Sequence, residues 1–195
     1  MNSNIPDILS ILHLVEREDR AESLKVQLDS QNITNYIMWQ GEVNRHNRKE
    51  SICKGFKKII QWAKDTMQPF VNVAEDDIVF FNPDSYKYYL SQIPDDYDVF
   101  WSMYFVGSND ENFRINSVCS GMTLFTVHSR FYDFFLNMDS DIHIDRYLTS
   151  LHEQFVFKVC PLIPVTQSGS KSDNNLMTCD YSPFLEGRKI FKNET

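Results

Sequence analysis

Apolar and polar positions divide this chain into short buried runs and longer mixed ones. Residues 8–15, Ile-Leu-Ser-Ile-Leu-His-Leu-Val, are short and mostly apolar, the pattern of a strand covered on both faces. The next segment interleaves Leu24, Val26 and Leu28 with Arg17, Arg20 and Lys25, which predicts an amphipathic helix with its apolar stripe on a sheet. A Ser-Gln-Asn turn at 30–32 precedes a second strand at Asn35 to Trp39. Residues 41–50 are polar and basic and read as a loop, and Ser51 is the expected N-cap of a helix carrying Ile52, Phe56, Ile59, Ile60 and Ala63. Phe70 to Ala74 predicts a third strand. Apolar character continues from Ile78 to Phe81, and Asn82-Pro83-Asp84 breaks the chain before a helix through Tyr86, Tyr89 and Leu90.

The second half repeats the alternation. Strands are predicted at Tyr97 to Val106 and Met122 to Val127, a helix from Ser129 through Met138, another from Ile144 to Phe155, and an extended segment at Val159 to Val165. Strands alternating with helices specify an α/β domain with a mostly parallel sheet flanked by helices. No repeat or linker divides the 195 residues, so one domain spanning 1–195 is expected. From about residue 167 the chain turns Ser/Gly/Asn-rich, and this segment is expected to be mobile and to order on a ligand.

Composition narrows the function. Fifteen Phe, nine Tyr and three Trp supply a ring-rich core. A net charge of -8 argues against general nucleic-acid binding, which requires cations to neutralise phosphates. The four cysteines lie far apart without zinc spacing and read as buried free thiols. The N-terminus lacks the basic region of a signal peptide, and the apolar stretch at 8–15 is too short to span a bilayer, so a cytoplasmic protein with no transmembrane segment is expected.

The candidate chemistry sits at Glu75-Asp76-Asp77, directly after the third strand. Ligands of open α/β sheets bind beyond the carboxyl ends of the strands, and that rim is where these carboxylates fall. In extended chain Glu75 and Asp77 point one way and Asp76 the other. Three crowded anions repel, and Mg²⁺ or Mn²⁺ shared with phosphate oxygens is the compensation the residue types suggest, with Asp77 and Glu75 as metal ligands. A nucleoside diphosphate-sugar is a substrate that needs such a site. An acidic turn at a strand end is the plain alternative.

With these segments placed, the chain resembles glycosyltransferase family 25, which includes lipooligosaccharide and collagen galactosyltransferases. Val73-Ala74-Glu75-Asp76-Asp77-Ile78 is similar to the family's apolar strand ending in a DxD-like acidic motif, and the likeness runs from about Ile8 to Asp173. Tyr97 to Trp101, Ser120 to Phe125 and Ser129 to Tyr132 resemble the segments that follow. The chain departs from the pattern at Gly55-Phe56-Lys57, where members often carry Ser-His, and at His13, where Asn is usual. The resemblance implies a GT-A fold, a metal-dependent hexosyltransferase-like activity, and a nucleoside diphosphate-sugar donor such as a UDP-sugar, with a saccharide or other hydroxyl acceptor. It implies donor contacts from Leu14, Val15, Arg17, Arg20, Glu75, Asp76, Gln167, Ser172 and Asp173.

Asp145 is the candidate general base, within reach of an acceptor hydroxyl, and an N-cap is its equal alternative. His143 and Gly121 are candidates to orient Asp145 or contact the acceptor, with completing the metal site a further role for His143 and an exposed loop histidine its plain alternative. Arg17 and Arg20 suit phosphate in a guanidinium fork, or a solvated helix start. The basic cluster of Arg45, Arg48, Lys54, Lys57 and Lys58 suits a phosphorylated acceptor or a hydrated helix face. A nucleotidyltransferase is disfavoured because residues 15–20 hold no Gly. A non-catalytic sugar-nucleotide or glycan-binding module on the same fold is the alternative function.

Overall fold

A computed structural model describes residues 8–44, 46–169 and 178–193. Its elements are β1 (Leu9–His13), α1 (Glu18–Ser30), β2 (Tyr36–Gln40), α2 (Arg48–Asp65), β3 (Phe70–Glu75), β4 (Ile78–Phe80), α3 (Ser85–Ser91), β5 (Val99–Trp101), β6 (Leu124–His128), a 3₁₀ turn at Ser129–Phe131, α4 (Tyr132–Asn137), α5 (Ile144–Ser150), β7 (Phe157–Val159), β8 (Val165–Gln167) and α6 (Ser182–Leu185). Six strands form one sheet in the order β2-β1-β3-β6-β5-β7, and β4 pairs with β8 in a separate ribbon. Within the main sheet β6 runs antiparallel to both its neighbours, and the other pairings are parallel. The predicted α/β class holds, with one reversed strand that the apolar pattern does not reveal.

Side-chain alternation on the strands feeds two cores, one on each face. Val71, Val73, Phe125 and Val127 meet Phe56, Ile59, Ile60 and Ala63 of α2 on one face. Leu9, Ile11, Ala74 and Leu124 meet Leu24 and Leu28 of α1, and Tyr86 and Tyr89 of α3, on the other. Phe56 stands edge-on to Phe125 with ring centroids 5.2 Å apart, a favoured geometry for the ring quadrupoles. The helices α1 and α2 thus cover opposite faces. After β1 the chain winds outward to β2, then crosses back to β3 on the other side of β1. The crevice between β1 and β3 is a topological switch point, where α/β sheets bind ligands.

Several predicted boundaries shift for identifiable reasons. The helix expected from Ser51 starts at Arg48, because Asn47 accepts the Glu50 N–H at 3.3 Å and caps it earlier. The strand expected over 97–106 is confined to Val99–Trp101, and the helix expected over 144–155 stops at Ser150. Val26, expected on the buried stripe of α1, is 64% exposed; Arg20, Leu24 and Leu28, spaced by four, make up the inward face. All four thiols are free, with Cys53, Cys119 and Cys160 buried and Cys179 half-buried. Among the described residues no helix is long and apolar enough to cross a membrane.

The last described residues fold back on the body. Ile190 forms a parallel bridge with Ile163, Phe191 stacks on Tyr88 with centroids 4.2 Å apart, and the Arg188 guanidinium lies 4.5 Å from the centre of the Tyr104 ring. These contacts fasten residues 178–193 beside the carboxyl rim of the sheet.

Candidate functional site

At the end of β3 the acidic residues separate by role. Asp76 is almost wholly buried. Its Oδ1 accepts from Arg20 at 2.6 Å, and its Oδ2 accepts from His13 Nδ1 at 2.9 Å and from the Leu14 backbone N–H at 3.3 Å. Arg20 also reaches Asp77 Oδ2 at 3.2 Å. Burial works against the Arg20 charge, but Asp77 and Asp76 outweigh it and hold its pKa above the ordinary value. The sequence placed Arg20 and Asp76 on the donor and gave Asp77 and Glu75 to an external cation. In the structure Arg20, brought inward by the Arg20-Leu24-Leu28 face of α1, pairs with the Asp76 carboxylate.

Glu75 points elsewhere. Its Oε2 accepts from Gln167 Nε2 at 2.6 Å, which ties the end of β3 to the end of β8. Burial first, then the negative charges of Asp77 and Asp76, push the Glu75 carboxyl well above the usual carboxylate range; Arg20 opposes this and Asp145 adds to it. The alternation expected for extended chain is modified because Asp76 and Asp77 form the turn into β4. Asp76 and Asp77 converge on Arg20, while Glu75 is held by Gln167.

Two cavities open on this rim. The first, of about 330 Å³, is lined by Leu12, His13, Leu14 and Arg20 from the β1–α1 side, Gly41 to Asn44 after β2, Arg48, Ser51 and Ile52 from the first turns of α2, and the acidic triplet. The second, of about 420 Å³, is lined by Phe105, Ser120, Gly121, His143, Asp145 and Arg146, among others. They share Ile52, Glu75, Gln167 and Tyr181, so the pair is one cleft with a seam at the Glu75–Gln167 hydrogen bond.

The structure therefore brings Leu14, Arg20, Glu75, Asp76, Asp77 and Gln167 together in the first cavity, and His143, Gly121 and Asp145 in the second. Val15 is 62% exposed and outside both linings, and Arg17 forks onto Asp19 with two contacts of 2.8 Å. Ser172 and Asp173 lie outside the described residues. Among the described residues no three His, Cys, Asp or Glu side chains gather closely enough to hold a metal ion by themselves.

Asp145 lies in the first turn of α5, where His143 occupies the cap position. Its Oδ2 accepts from the Gly121 N–H at 2.9 Å and its Oδ1 from the Arg146 N–H at 2.8 Å. Two backbone donors orient the carboxylate toward the second cavity and leave it lone pairs to spare. Gly121 has φ +101°, and a Cβ there would stand 2.3 Å from the Phe105 ring. Gly121→Ala should cost about 1–3 kcal/mol through strain and overpacking, read as a lowered midpoint in thermal unfolding.

Two residues in the cleft were not placed on the donor from the sequence. Arg48 read as part of a basic loop, yet it opens α2 inside the first cavity, half-buried, and among the described residues its guanidinium has no hydrogen bond or ion pair. Tyr181 falls beyond the predicted strands, and only the return of the C-terminal segment places it at the seam. The departure at Gly55 also has a structural reason. A Cβ at Gly55 would meet the Leu12 side chain at 2.6 Å, so the small residue lets α2 approach β1 closely.

No family model and no curated protein sequence matches the chain. Its solved neighbours include A197 from STIV (TM-score 0.55, 10% identity, 96% of this chain and 98% of that one). They also include HddC from Yersinia pseudotuberculosis complexed with GMP-PN (0.47, 14%, 78% and 89%) and a glycosyltransferase involved in the glycosylation of the major capsid of PBCV-1 (0.43, 16%, 75% and 66%). The likeness to A197 extends over nearly both chains and concerns the fold alone. The other two superpose too loosely to carry an argument about function.

Proposed function

We propose that the cleft binds a nucleoside diphosphate-sugar, with UDP-sugars among the candidates, and transfers the sugar to a hydroxyl of a saccharide or other acceptor. The observation that carries this reading is the seam. A cavity with apolar walls and a carboxylate cluster meets, across Glu75 and Gln167, a second cavity holding Asp145, all at the switch point of the sheet. Leu12, Leu14, Val43 and Ile52 suit a nucleobase and ribose. Arg48 is the cation for the diphosphate, in the role that the sequence gave to Arg17 and Arg20.

Asp77 and Glu75 would hold Mn²⁺ or Mg²⁺. Such ions bind through one or two carboxylates and complete their shell with substrate phosphates and water, so a preformed cage is not required. Burial first, and then the charges of Asp77 and Asp76, raise the Glu75 pKa, and a cation beside these carboxylates would relieve the charge part. A bound cation would supply Lewis-acid stabilisation of the departing diphosphate. Asp145, held by two backbone N–H groups, takes the proton of the acceptor hydroxyl. Membership of glycosyltransferase family 25 belongs to the same proposal and rests on the Val73–Ile78 segment.

The test is binding of UDP, GDP and their sugars by calorimetry, with and without Mn²⁺. Wild-type protein is expected to bind at least one sugar nucleotide in a metal-dependent way. Asp77→Ala should abolish the metal dependence with the fold intact, and Arg48→Ala should weaken nucleoside diphosphate binding about tenfold, the scale of one charge-assisted hydrogen bond. Binding of no nucleotide under any condition would overturn the reading. Slow hydrolysis of the bound donor separates a transferase from a binding module on the same fold.

A further inference from the structure

Tyr181 and Phe105 form an aromatic pair at the seam of the cleft, and nothing in the reading above uses it. The two rings stack with centroids 4.5 Å apart and planes inclined by 16°, and the Phe184 ring lies 5.6 Å from that of Phe105. Phe105 owes its place to Gly121, whose missing Cβ leaves room for the ring. Tyr181 belongs to the C-terminal segment, which is pinned to the body through Ile190, Phe191 and Arg188. A ring stacked on one side by Phe105 and carried on an anchored segment is a rigid surface, which lowers the entropy lost when a ligand settles on it.

The neighbours of that surface are polar. Tyr181 lines both cavities together with Glu75 and Gln167. Its phenol is pushed well above its ordinary pKa by burial, then by the charge of Asp77 among others. A flat ring sharing a cavity wall with a hydrogen-bonding pair suits a pyranose, which has an apolar face of C–H bonds and a periphery of hydroxyls. Resting on the nucleotide-sugar reading, we propose that Tyr181 is the platform for the transferred hexose. The C–H face of the sugar lies on the Tyr181 ring, its hydroxyls reach Glu75 and Gln167, and the C1 side faces the cavity of Asp145. Phe105 supports the platform from below and acts as a positioning residue.

The distinguishing experiment compares UDP-glucose, UDP-galactose and GDP-mannose with UDP and GDP on the full chain in Mn²⁺. Wild-type protein is expected to bind one sugar nucleotide more tightly than its parent diphosphate. Tyr181→Ala and Tyr181→Leu should each lose that margin, at least tenfold for the sugar nucleotide, with affinity for the parent diphosphate unchanged. Tyr181→Phe should retain it. Tyr181→Leu keeps apolar bulk in the cleft, so it reports on the aromatic face if the alanine variant unfolds. Equal losses for sugar nucleotide and diphosphate would assign Tyr181 to the nucleotide pocket and overturn the platform, as would no loss. If the wild type binds diphosphates without favouring any sugar conjugate, the platform fails while the nucleotide reading survives. If it binds none of the five, both fail.

Discussion

Replacing Arg20 by Met is expected to destabilise the protein by about 3–5 kcal/mol, the usual cost of removing one member of a buried ion pair. The two groups are nearly sealed from water, Arg20 at 8% exposure and Asp76 at 5%, so the carboxylates left behind cannot be rescued by solvent. Asp77 would lose the same partner. A loss of that size is a large part of the roughly 5–15 kcal/mol that holds a domain together. At about 2–4 °C per kcal/mol for a chain of this length, the melting midpoint should fall by about 10 °C. The double variant Arg20→Met with Asp76→Asn removes the uncompensated charge while keeping an acceptor for Leu14, and should recover part of the loss. Urea unfolding of the single and double variants measures both. If Arg20→Met leaves the midpoint in place and weakens only nucleotide binding, Arg20 is a donor contact and its internal role is wrong.

That expectation also explains where the sequence was readable. Helical spacing puts Arg20 in register with Leu24 and Leu28, so the inward face of α1 was written in the pattern, and the acidic turn after β3 was legible as well. What the pattern lacked was the distance between them in space, because the pair is separated by 56 residues and by the crossing of the chain from β2 to β3. The same limit governs the direction of β6. A buried run of Leu124 to His128 looks alike in either orientation, and only its pairing with Phe70–Ala74 shows that it is reversed. Carboxyl-rim residues that end strands, such as Glu75, were found because strand ends have a local signature. Arg48 was legible only as one of a basic cluster, with nothing local to single it out, and Tyr181 was missed because its place depends on a C-terminal return anchored through Ile163 and Tyr88.

Asp145→Asn is expected to lower sugar transfer by about 10²–10⁴-fold, the contribution usual for a general base, while donor binding stays near the wild-type level. Each carboxylate oxygen of Asp145 already has a partner. Oδ2 holds the Gly121 N–H and Oδ1 the Arg146 N–H, and each carboxylate oxygen retains a further lone pair for an acceptor hydroxyl. Asparagine keeps one oxygen for one of those donors, presents N–H groups to the other, and cannot take a proton. Transfer should therefore fall much more than stability, because only one backbone contact is compromised. A purely structural Asp145 gives the opposite pattern. Its loss would release the Gly121 turn, disturb Phe105 and through it Tyr181, and so lower the melting midpoint and sugar-nucleotide affinity together. Measuring initial transfer rate, donor dissociation constant and thermal midpoint on the same preparation separates the two. A variant that transfers at the wild-type rate removes Asp145 from the chemistry and leaves it as the peg that holds Gly121 in place.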